Sequence, residues 1–500
     1  MRKNFRAPMN DQGLFGGCMI SDMQIHCVIS FAGHPDHKID EQRMAKAVKL
    51  TLDAEPILGC RFAVRRWRML WERRTDLHEA ELFSFAASEN TEAEMLRFLS
   101  EPSDPCKDLM VKVLLLRSDT KDRLCIKVSH LAADAAGVKD YAYLLASVYR
   151  KLADNPGYRP VPNLNGSRSM RQISRQFGFL KKIGILRRTL TEVKQSVFPR
   201  KHCSFPLIKG DPADRAFVIR RISPELFREI RAYGKRHGAT LNDVLLTAIC
   251  RSFFDLIQPA PDVPLRLIST ADLRRYLPSG KAEAICNLSG IFHLKLNRKP
   301  DDDFKDTLIE IHRQMNFIKN DFIGLGYHPI FVLSSLLVPA SLNLRIGKKK
   351  AEKLLDGDRK TPPGFTNMGA IDTEQLVFGD AEVTDAFLTA PVMFSPLLLI
   401  GLSGFGESLT MSVGFSNAAV NKPLVERVLN CIEKETPPPA PPRQTPPPDP
   451  NGIKLRGRMP GKSPLEGGRG VSATGRRQRQ NLPSPAGNTP LPPLKGGLRA

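Results

Sequence analysis

The chain has 500 residues, 41% of them hydrophobic and 25% charged, a length that predicts roughly two to four domains. This apolar content is enough for a packed core and excludes collagen-like, fibrous and fully disordered proteins. The nine cysteines are scattered without a C-x-x-C pair, which excludes a disulfide scaffold and a zinc ribbon and predicts free thiols in a reducing compartment.

The net charge is +22, from 74 Lys and Arg against 52 Asp and Glu. Residues 436–500 hold eleven basic and two acidic residues, so they contribute +9 and the rest of the chain +13. A basic balance attracts anionic partners such as nucleic acids, anionic lipids, acidic proteins and nucleotide-bearing substrates. The charge of residues 1–435 is moderate and does not by itself require a nucleic-acid partner.

Residues 1–18 begin with a charged segment that lacks the apolar run of a signal peptide, and we expect a flexible N-terminus and a cytoplasmic protein. No stretch of eighteen uncharged apolar residues is present in the sequence, so no membrane-spanning helix is predicted.

Hydrophobic periodicity predicts a first α/β half over residues 19–205. Strands are predicted at 24–31, 56–64, 110–116 and 123–128, and helices at 40–54, 91–99 and 137–152. The last two strands are close enough to pair as a hairpin. Residues 165–205 are basic and irregular, with a helical piece at 177–196, and we expect them to connect this half to a second one.

The second half, residues 206–435, has a similar α/β pattern. Strands are predicted at 217–222, 265–270, 290–296, 377–379, 397–402 and 410–415, and helices at 223–237, 240–254 and 422–433. Ser223 and Thr240 have the positions of helix N-caps. The apolar segment 330–344 contains Pro339 and leads into a basic run, which is typical either of a buried helix pair or of a membrane-surface patch.

Residues 436–500 contain sixteen prolines and ten glycines and almost no aliphatic periodicity. Such a segment cannot bury enough apolar surface to offset its ordering entropy. We therefore predict a disordered Pro/Gly/Arg-rich tail.

Residues 127–137 (KVSHLAADAAG) are the most informative local sequence. A predicted strand ends at Ser129 and His130, small residues permit a tight loop, and a helix follows Asp134. An imidazole with a pKa of about 6.5 can accept a proton at neutral pH, which suits general-base activation of a hydroxyl or an amine. The His-x-x-x-Asp spacing alone is a weak signal.

Residues 19–435 resemble the condensation-domain superfamily of acyltransferases, which includes nonribosomal-peptide condensation domains, alcohol acetyltransferases, wax-ester synthases and polyketide-associated acyltransferases. The superfamily signature is H-H-x-x-x-D-G. His130 matches the second histidine and Asp134 the aspartate, whereas Ser129 replaces the first histidine and Ala135 the glycine, with Gly137 two residues later. Further segments match in order at 104–113, 238–246, 271–276, 287–290 and 366–369.

The resemblance implies an α/β fold of two chloramphenicol-acetyltransferase-like halves arranged in a V with a central tunnel. His130 would be the catalytic base that transfers an acyl group from an acyl-CoA or a carrier-protein phosphopantetheine thioester to a hydroxyl or amine. Asp134 would have a supporting role and pair with Arg274, with Arg275 as the alternative. Backbone N–H groups near Gly137 and four side chains are the candidates for binding substrate and the developing oxyanion: Asn287, Ser289, Thr366 and Asn367.

The expected partners are a small-molecule or lipid acceptor and an acyl carrier protein, with weak membrane-surface association and no nucleic acid. No bound cofactor and no metal are expected, because the histidines lack metal-ligand spacing. Trp67 and Trp71 are expected to pack in the core or an interface, or to lie at the tunnel mouth.

Two other functions remain open at this point. A condensation-like fold without catalysis would serve as a binding or scaffold protein, and Ser129 and Ala135 favour this reading, whereas His130 opposes it. Nucleic-acid binding through the tail rests only on the charge of residues 436–500.

Overall fold

The computed structural model describes residues 4–34, 37–119, 121–197, 203, 205–260, 263–298, 301–355 and 361–436. All of them belong to one compact unit. The predicted disordered tail lies outside the described residues except for Thr436, so that prediction stays untested.

The described residues form fourteen strands and twelve helices, together with three short 3-10 turns at Gly16–Met19, Pro56–Gly59 and Leu273–Tyr276. The strands are β1 Asn4–Arg6, β2 Gln24–Phe31, β3 Cys60–Val64, β4 Met69–Arg73, β5 Phe83–Ala87, β6 Val111–Arg117, β7 Asp122–Ser129, β8 Arg215–Ile222, β9 Leu265–Asp272, β10 Ser289–Leu296, β11 Gly364–Ile371, β12 Val383–Thr389, β13 Leu399–Phe405 and β14 Ser408–Ser416. The helices are α1 Met9–Phe15, α2 Glu41–Ala54, α3 Thr91–Ser100, α4 Ala135–Asp154, α5 Arg171–Ser174, α6 Phe179–Val197, α7 Pro224–Arg236, α8 Leu241–Ile257, α9 Phe304–Asn320, α10 His328–Leu337, α11 Ala340–Leu355 and α12 Asn421–Glu435.

The first half is built on a five-stranded sheet with the order β12-β2-β7-β6-β5. The predicted hairpin is confirmed, because β6 and β7 pair antiparallel up to Arg117 and Asp122. β2 and β7 are buried along their whole length, since α2 and α4 cover one face and a smaller apolar cluster with α3 residues Met95 and Leu99 lies on the other.

The second half is built on a six-stranded sheet with the order β10-β9-β11-β13-β14-β8. Helices α8, α9 and α12 pack together over it and form a separate hydrophobic core. Thr240 caps α8, as the sequence predicted: its hydroxyl accepts from the Asp243 N–H, and the Asp243 carboxylate accepts from the Thr240 N–H to complete a capping box. The predicted α/β architecture of two halves is therefore confirmed.

The strand β12 was not predicted, and it joins the two halves. It follows the second-half strand β11 in the chain, yet it pairs antiparallel with β2 of the first sheet, with Ala386 opposite Ile29. The division predicted at residue 205 therefore does not coincide with the division into two sheets, because β12 follows residue 205 but belongs to the sheet of the first half. The strand predicted at 377–379 is wrong, because Gly379 has a φ of +65° and turns the chain after a single bridge from Phe378 to Ala381.

Residues 4–19 are ordered, unlike the flexible N-terminus that was expected. β1 pairs with β4, and Asp11 on α1 is fully buried. The Asp11 carboxylate accepts hydrogen bonds from Trp71 Nε1 at 2.9 Å and from Arg168 Nη2 at 3.0 Å. A buried carboxylate of this kind is stable only with such partners, so the ion pair fixes the N-terminal segment against the connector.

The segment 330–344 forms parts of two helices, α10 and α11, but the expectation of a buried pair is wrong. Leu333, Leu337 and Leu342 are exposed, Leu337 by 72%. Trp71 is in the core as expected, whereas Trp67 is 65% exposed. No helix among the described residues is long and apolar enough to cross a membrane.

Replacing Asp11 by Ala is expected to lower the free energy of unfolding by about 3 kcal/mol, because it leaves the Arg168 guanidinium buried without its carboxylate. Urea unfolding followed by circular dichroism measures this change. Glu94→Ala removes the exposed ion pair with Arg97 and serves as the control, with an expected loss of about 0.5 kcal/mol. Equal losses in the two variants would contradict the role given to Asp11.

Candidate active site

A cavity of about 360 Å³ lies between the two halves and is lined by residues of both. His130 and Asp134 reach it from the first half, and Thr270, Ser289 and Thr366 from the second. The remaining wall is largely apolar and includes side chains from the N-terminal segment, from both sheets and from the segment after β12: Leu14, Ile20, Met23, Ile25, Ile291, Met368, Met393 and Leu399. Such a cavity suits an apolar substrate with a few polar groups that orient it.

His130 stands directly after the end of β7, where the chain turns toward α4. Its backbone N–H donates to the Met23 carbonyl at 2.7 Å, and its ring Nδ1 lies 3.0 Å from the Ala133 carbonyl oxygen. A carbonyl only accepts hydrogen bonds, so in the neutral ring Nδ1 carries the hydrogen and Nε2 keeps a lone pair. Burial lowers the pKa of His130, and the Ala133 carbonyl and the charge of Asp134 only partly oppose this. The imidazole is therefore neutral at pH 7 and able to accept a proton at Nε2.

Asp134 is the N-cap of α4 and at the same time a contact to the second half. Its Oδ1 accepts from the Gly137 backbone N–H at 2.9 Å. Its Oδ2 accepts from Arg274 Nη1 at 2.9 Å, from the Leu288 N–H at 2.7 Å and from the Ser289 hydroxyl at 3.0 Å. The carboxylate thus joins the loop after His130 to the β9 and β10 region of the second half.

Arg274, rather than Arg275, is the partner of Asp134. Both Asp134 and Arg274 are buried, and Arg274 also donates to the Cys286 carbonyl at 3.0 Å. Although burial alone raises the pKa of Asp134, the Arg274 charge and the four hydrogen bonds hold it below its usual value. Arg275 is exposed and lies over the ring of Tyr276. Asp134 is therefore ionised at neutral pH and does not exchange protons with a substrate.

Gly137 is placed for close packing and not for an oxyanion. A Cβ at Gly137 would lie 2.9 Å from the Cys286 carbonyl oxygen and 3.0 Å from the Ala133 Cβ. Its N–H is already bonded to Asp134. The small residue lets the first turn of α4 approach the backbone of the second half.

Ser289 and Asn287 lie at the cavity, but part of their hydrogen-bonding capacity is already used. The Ser289 hydroxyl donates to Asp134, so it cannot donate to an oxyanion at the same time. Asn287 Nδ2 donates to the Leu131 carbonyl at 2.9 Å, while its Oδ1 is buried with no hydrogen-bond partner among the described residues. Asn287 therefore supports the His130 loop, and its side chain also acts to raise the pKa of His130.

The Thr270 and Thr366 pair retains one donor for the cavity, whereas Asn367 is not among the residues that line it. The Thr366 and Thr270 hydroxyls are 2.7 Å apart and both line the cavity. Because one hydroxyl donates to the other, the second keeps its hydrogen for a ligand. The Asn367 side chain instead bonds to Asn242 and to the Gly369 N–H, and so stabilises the Gly369 bulge in β11.

Ser129 stands where the H-H-x-x-x-D-G signature has its first histidine. It is buried at the end of β7, and its hydroxyl has no hydrogen-bond partner within the described part of the chain. The support for the loop comes from elsewhere: Arg168 Nη1 donates to the Ala132 carbonyl at 3.0 Å and also bonds the Ile285 carbonyl.

Sequence reasoning missed Arg168, Thr270, Tyr327 and His328. Arg168 lies in a basic connector without periodicity, so nothing local marked it as buried. Tyr327 and His328 line the cavity, and the Tyr327 hydroxyl lies 3.0 Å from His293 Nε2. Thr270 could have been noted as a polar residue at the end of a predicted strand, next to the D-L-R segment.

Replacing Asp134 by Ala is expected to lower the free energy of unfolding by about 3–5 kcal/mol, since Arg274 would remain buried without its partner. Chemical denaturation measures the loss. Asp272→Ala removes a carboxylate that contacts the same guanidinium at 3.2 Å but is half exposed, and we expect well under half of the effect. A double variant Asp134→Ala, Arg274→Met should lose less than the sum of the two single changes; strict additivity would contradict the coupling.

No family model matches the chain, and no curated protein matches it significantly in sequence. Solved structures do match. The first condensation domain of the calcium-dependent antibiotic synthetase, in complex with a substrate analogue, aligns with a TM-score of 0.63 and 15% identity over 88% of this chain and 97% of that domain.

Polyketide synthase associated protein 5 from Mycobacterium tuberculosis aligns with a TM-score of 0.59 and 15% identity, over 85% of this chain and 97% of that one. Trichothecene 15-O-acetyltransferase from Fusarium sporotrichioides aligns with a TM-score of 0.60 and 12% identity, over 87% of this chain and 96% of that one. At these identities the likeness concerns the fold. The chain therefore has the fold of condensation domains and chloramphenicol-acetyltransferase-like acyltransferases, as the resemblance of residues 19–435 implied.

Proposed function

We propose that this protein is an acyltransferase that uses His130 as its general base. It moves an acyl group from a CoA or carrier-protein phosphopantetheine thioester to a hydroxyl or amine. The observation that carries the proposal is the neutral imidazole of His130, whose Nδ1–H is held by the Ala133 carbonyl and which lines a largely apolar cavity between two halves.

The proposed reaction follows from this geometry. The acceptor O–H or N–H gives its proton to His130 Nε2 while its lone pair attacks the thioester carbonyl carbon. The carbonyl oxygen then becomes an oxyanion. When the intermediate collapses, the C–S bond breaks, the carbonyl re-forms, and the imidazolium returns the proton to the departing thiolate. The products are the ester or amide and the free thiol.

The Thr270 and Thr366 pair supports stabilisation of the oxyanion. Its second hydroxyl hydrogen is available in the cavity, because the two oxygens, 2.7 Å apart, use only one hydrogen between them. A donor fixed in a site that excludes water is worth more than the same donor in bulk solvent. The apolar lining supports an acyl chain or acceptor with substantial hydrocarbon content.

The charge of the chain supports an anionic donor. Residues 1–435 carry +13, which favours encounter with the phosphates of CoA or with the acidic surface of a carrier protein. The composition of the chain favours neither CoA nor a carrier protein as the donor, so the assay includes both.

His130→Ala is expected to reduce acyl transfer by roughly 10²–10⁴-fold, because no general base remains to take the proton from the attacking hydroxyl or amine. Thiol release is measured with short to long acyl-CoAs and with the same acyl groups on a phosphopantetheinylated carrier protein, each with alcohol and amine acceptors. His237→Ala changes an exposed histidine at the end of α7 and should keep full activity. Release that is equal in wild type and His130→Ala would contradict the mechanism. Absence of release with every donor would favour a binding protein without catalysis.

The pH dependence of kcat/KM provides a second test. Because burial lowers the pKa of His130, its neutral, active form persists below the usual histidine value of about 6.5. The rate should therefore fall on the acid side with a midpoint below that value. This limb should be missing from the residual activity of His130→Ala. A midpoint clearly above it would show that burial does not control this histidine.

A further inference from the structure

Helix α6 exposes a continuous apolar stripe. Phe179, Ile183, Leu186 and Leu190 are between 37% and 78% exposed. Their spacing of four, three and four residues places them on one helix face. The opposite side of the helix is buried and includes Ile185, so the exposed stripe is additional to the face that packs on the protein.

Helices α10 and α11 continue the exposed apolar surface. α10 contacts both α6 and α11, and Leu333 and Leu337 on α10 are exposed. On α11 the exposed residues Leu342 and Ile346 are one turn apart. The same helical spacing leads next to Lys349 and Lys353, which are also exposed, so this helix face changes from apolar to basic along its length.

The turn between β3 and β4 adjoins α11 and carries an exposed aromatic side chain. The Ser341 N–H donates to the Arg66 carbonyl at 3.4 Å. Trp67 beside it is 65% exposed and is flanked by the exposed residues Arg66 and Arg68. We call α6, α10, α11 and residues 65–68 together the basic–apolar face.

The basic–apolar face has a strongly one-sided charge. Its sequence contains thirteen Lys and Arg and two acidic residues, Glu192 and Glu352. Glu192 is buried and paired with Arg188 at 2.5 Å. Exposed apolar side chains together with a surplus of exposed cations fit a partner whose surface is both anionic and partly apolar. An acidic protein surface would pair with the cations but would leave the apolar stripe in water.

We propose that the basic–apolar face docks onto the surface of an anionic phospholipid bilayer. The leucine and isoleucine side chains enter the boundary between headgroups and acyl chains. Trp67 lies at the headgroup level, which its amphipathic ring prefers. The lysines and arginines contact the anionic lipid phosphates and carboxylates. Docking requires no acyl transfer and is tested independently of it.

The docked orientation brings the bilayer next to the cavity. His328 begins α10 and lines the cavity, as does Tyr327 before it. Helix α1 lines the cavity through Leu14 and also contacts α10. A lipid leaving the bilayer at α10 would therefore meet the wall of the cavity directly.

Flotation of the full-length protein with vesicles tests the docking. We expect binding to phosphatidylcholine vesicles that contain phosphatidylserine, weakening as salt is added, and little binding to pure phosphatidylcholine. The double variant Leu342→Glu, Ile346→Glu should reduce partitioning at least about tenfold. The matched control Ile309→Glu, Val420→Glu makes the same change at two exposed residues on α9 and before α12 and should bind like wild type.

Tryptophan fluorescence tests the orientation. The sequence has two tryptophans, and Trp71 is fully buried, so a vesicle-induced change reports Trp67. We expect its emission to shift to shorter wavelength and to be quenched by brominated acyl chains, and Trp67→Phe to lose this signal while still floating.

Two outcomes would overturn the proposal. The tail has eleven basic residues and no tryptophan, so flotation that leaves Trp67 unchanged and survives Leu342→Glu, Ile346→Glu would assign binding to the tail. A wild-type dimer that becomes a monomer in this variant by sedimentation velocity, without vesicle binding, would assign the face to a second copy of the chain.

Discussion

The buried carboxylate of Asp134 is the contact on which the arrangement of the site depends. It caps α4 through Gly137 and pairs with Arg274 of the second half. An ionised group without partners in such a place would cost several kcal/mol, so the His130 loop and the second half are fixed together. The imidazole next to Asp134 gains a defined position from a residue that does not itself react.

Burial and hydrogen bonding give the neighbouring residues different roles. His130 is neutral because burial disfavours its charge, and Asp134 is charged because the Arg274 cation and three further donors compensate its burial. Arg168 pairs with the buried Asp11, whose pKa burial nevertheless raises, and donates to the Ala132 carbonyl of the same loop. Two buried ion pairs from distant parts of the chain thus converge on one short loop.

The sequence predicted most elements with strong periodicity, including the β6–β7 hairpin and the capped helix at Thr240. The predictions failed where contacts with residues distant in the sequence determine whether a segment forms a strand or is buried. β12 carries Asp385 and is not an obvious strand, but the edge of β2 offers it backbone partners. Segment 330–344 has the composition of a core segment, yet the helices it forms expose Leu333 and Leu337, which hydropathy alone cannot show.

By itself the sequence determined the α/β class, the His130 and Asp134 motif and, through the resemblance, the Arg274 partner, because spacing and composition are local properties of the chain. The tertiary structure decided which polar groups remain available. In the folded chain the Ser289 hydroxyl donates to Asp134, and the Asn367 side chain bonds to Asn242. The Thr366 and Thr270 hydroxyls bond to each other. Hydrogen-bond capacity is limited, and only the folded arrangement determines which neighbours use it.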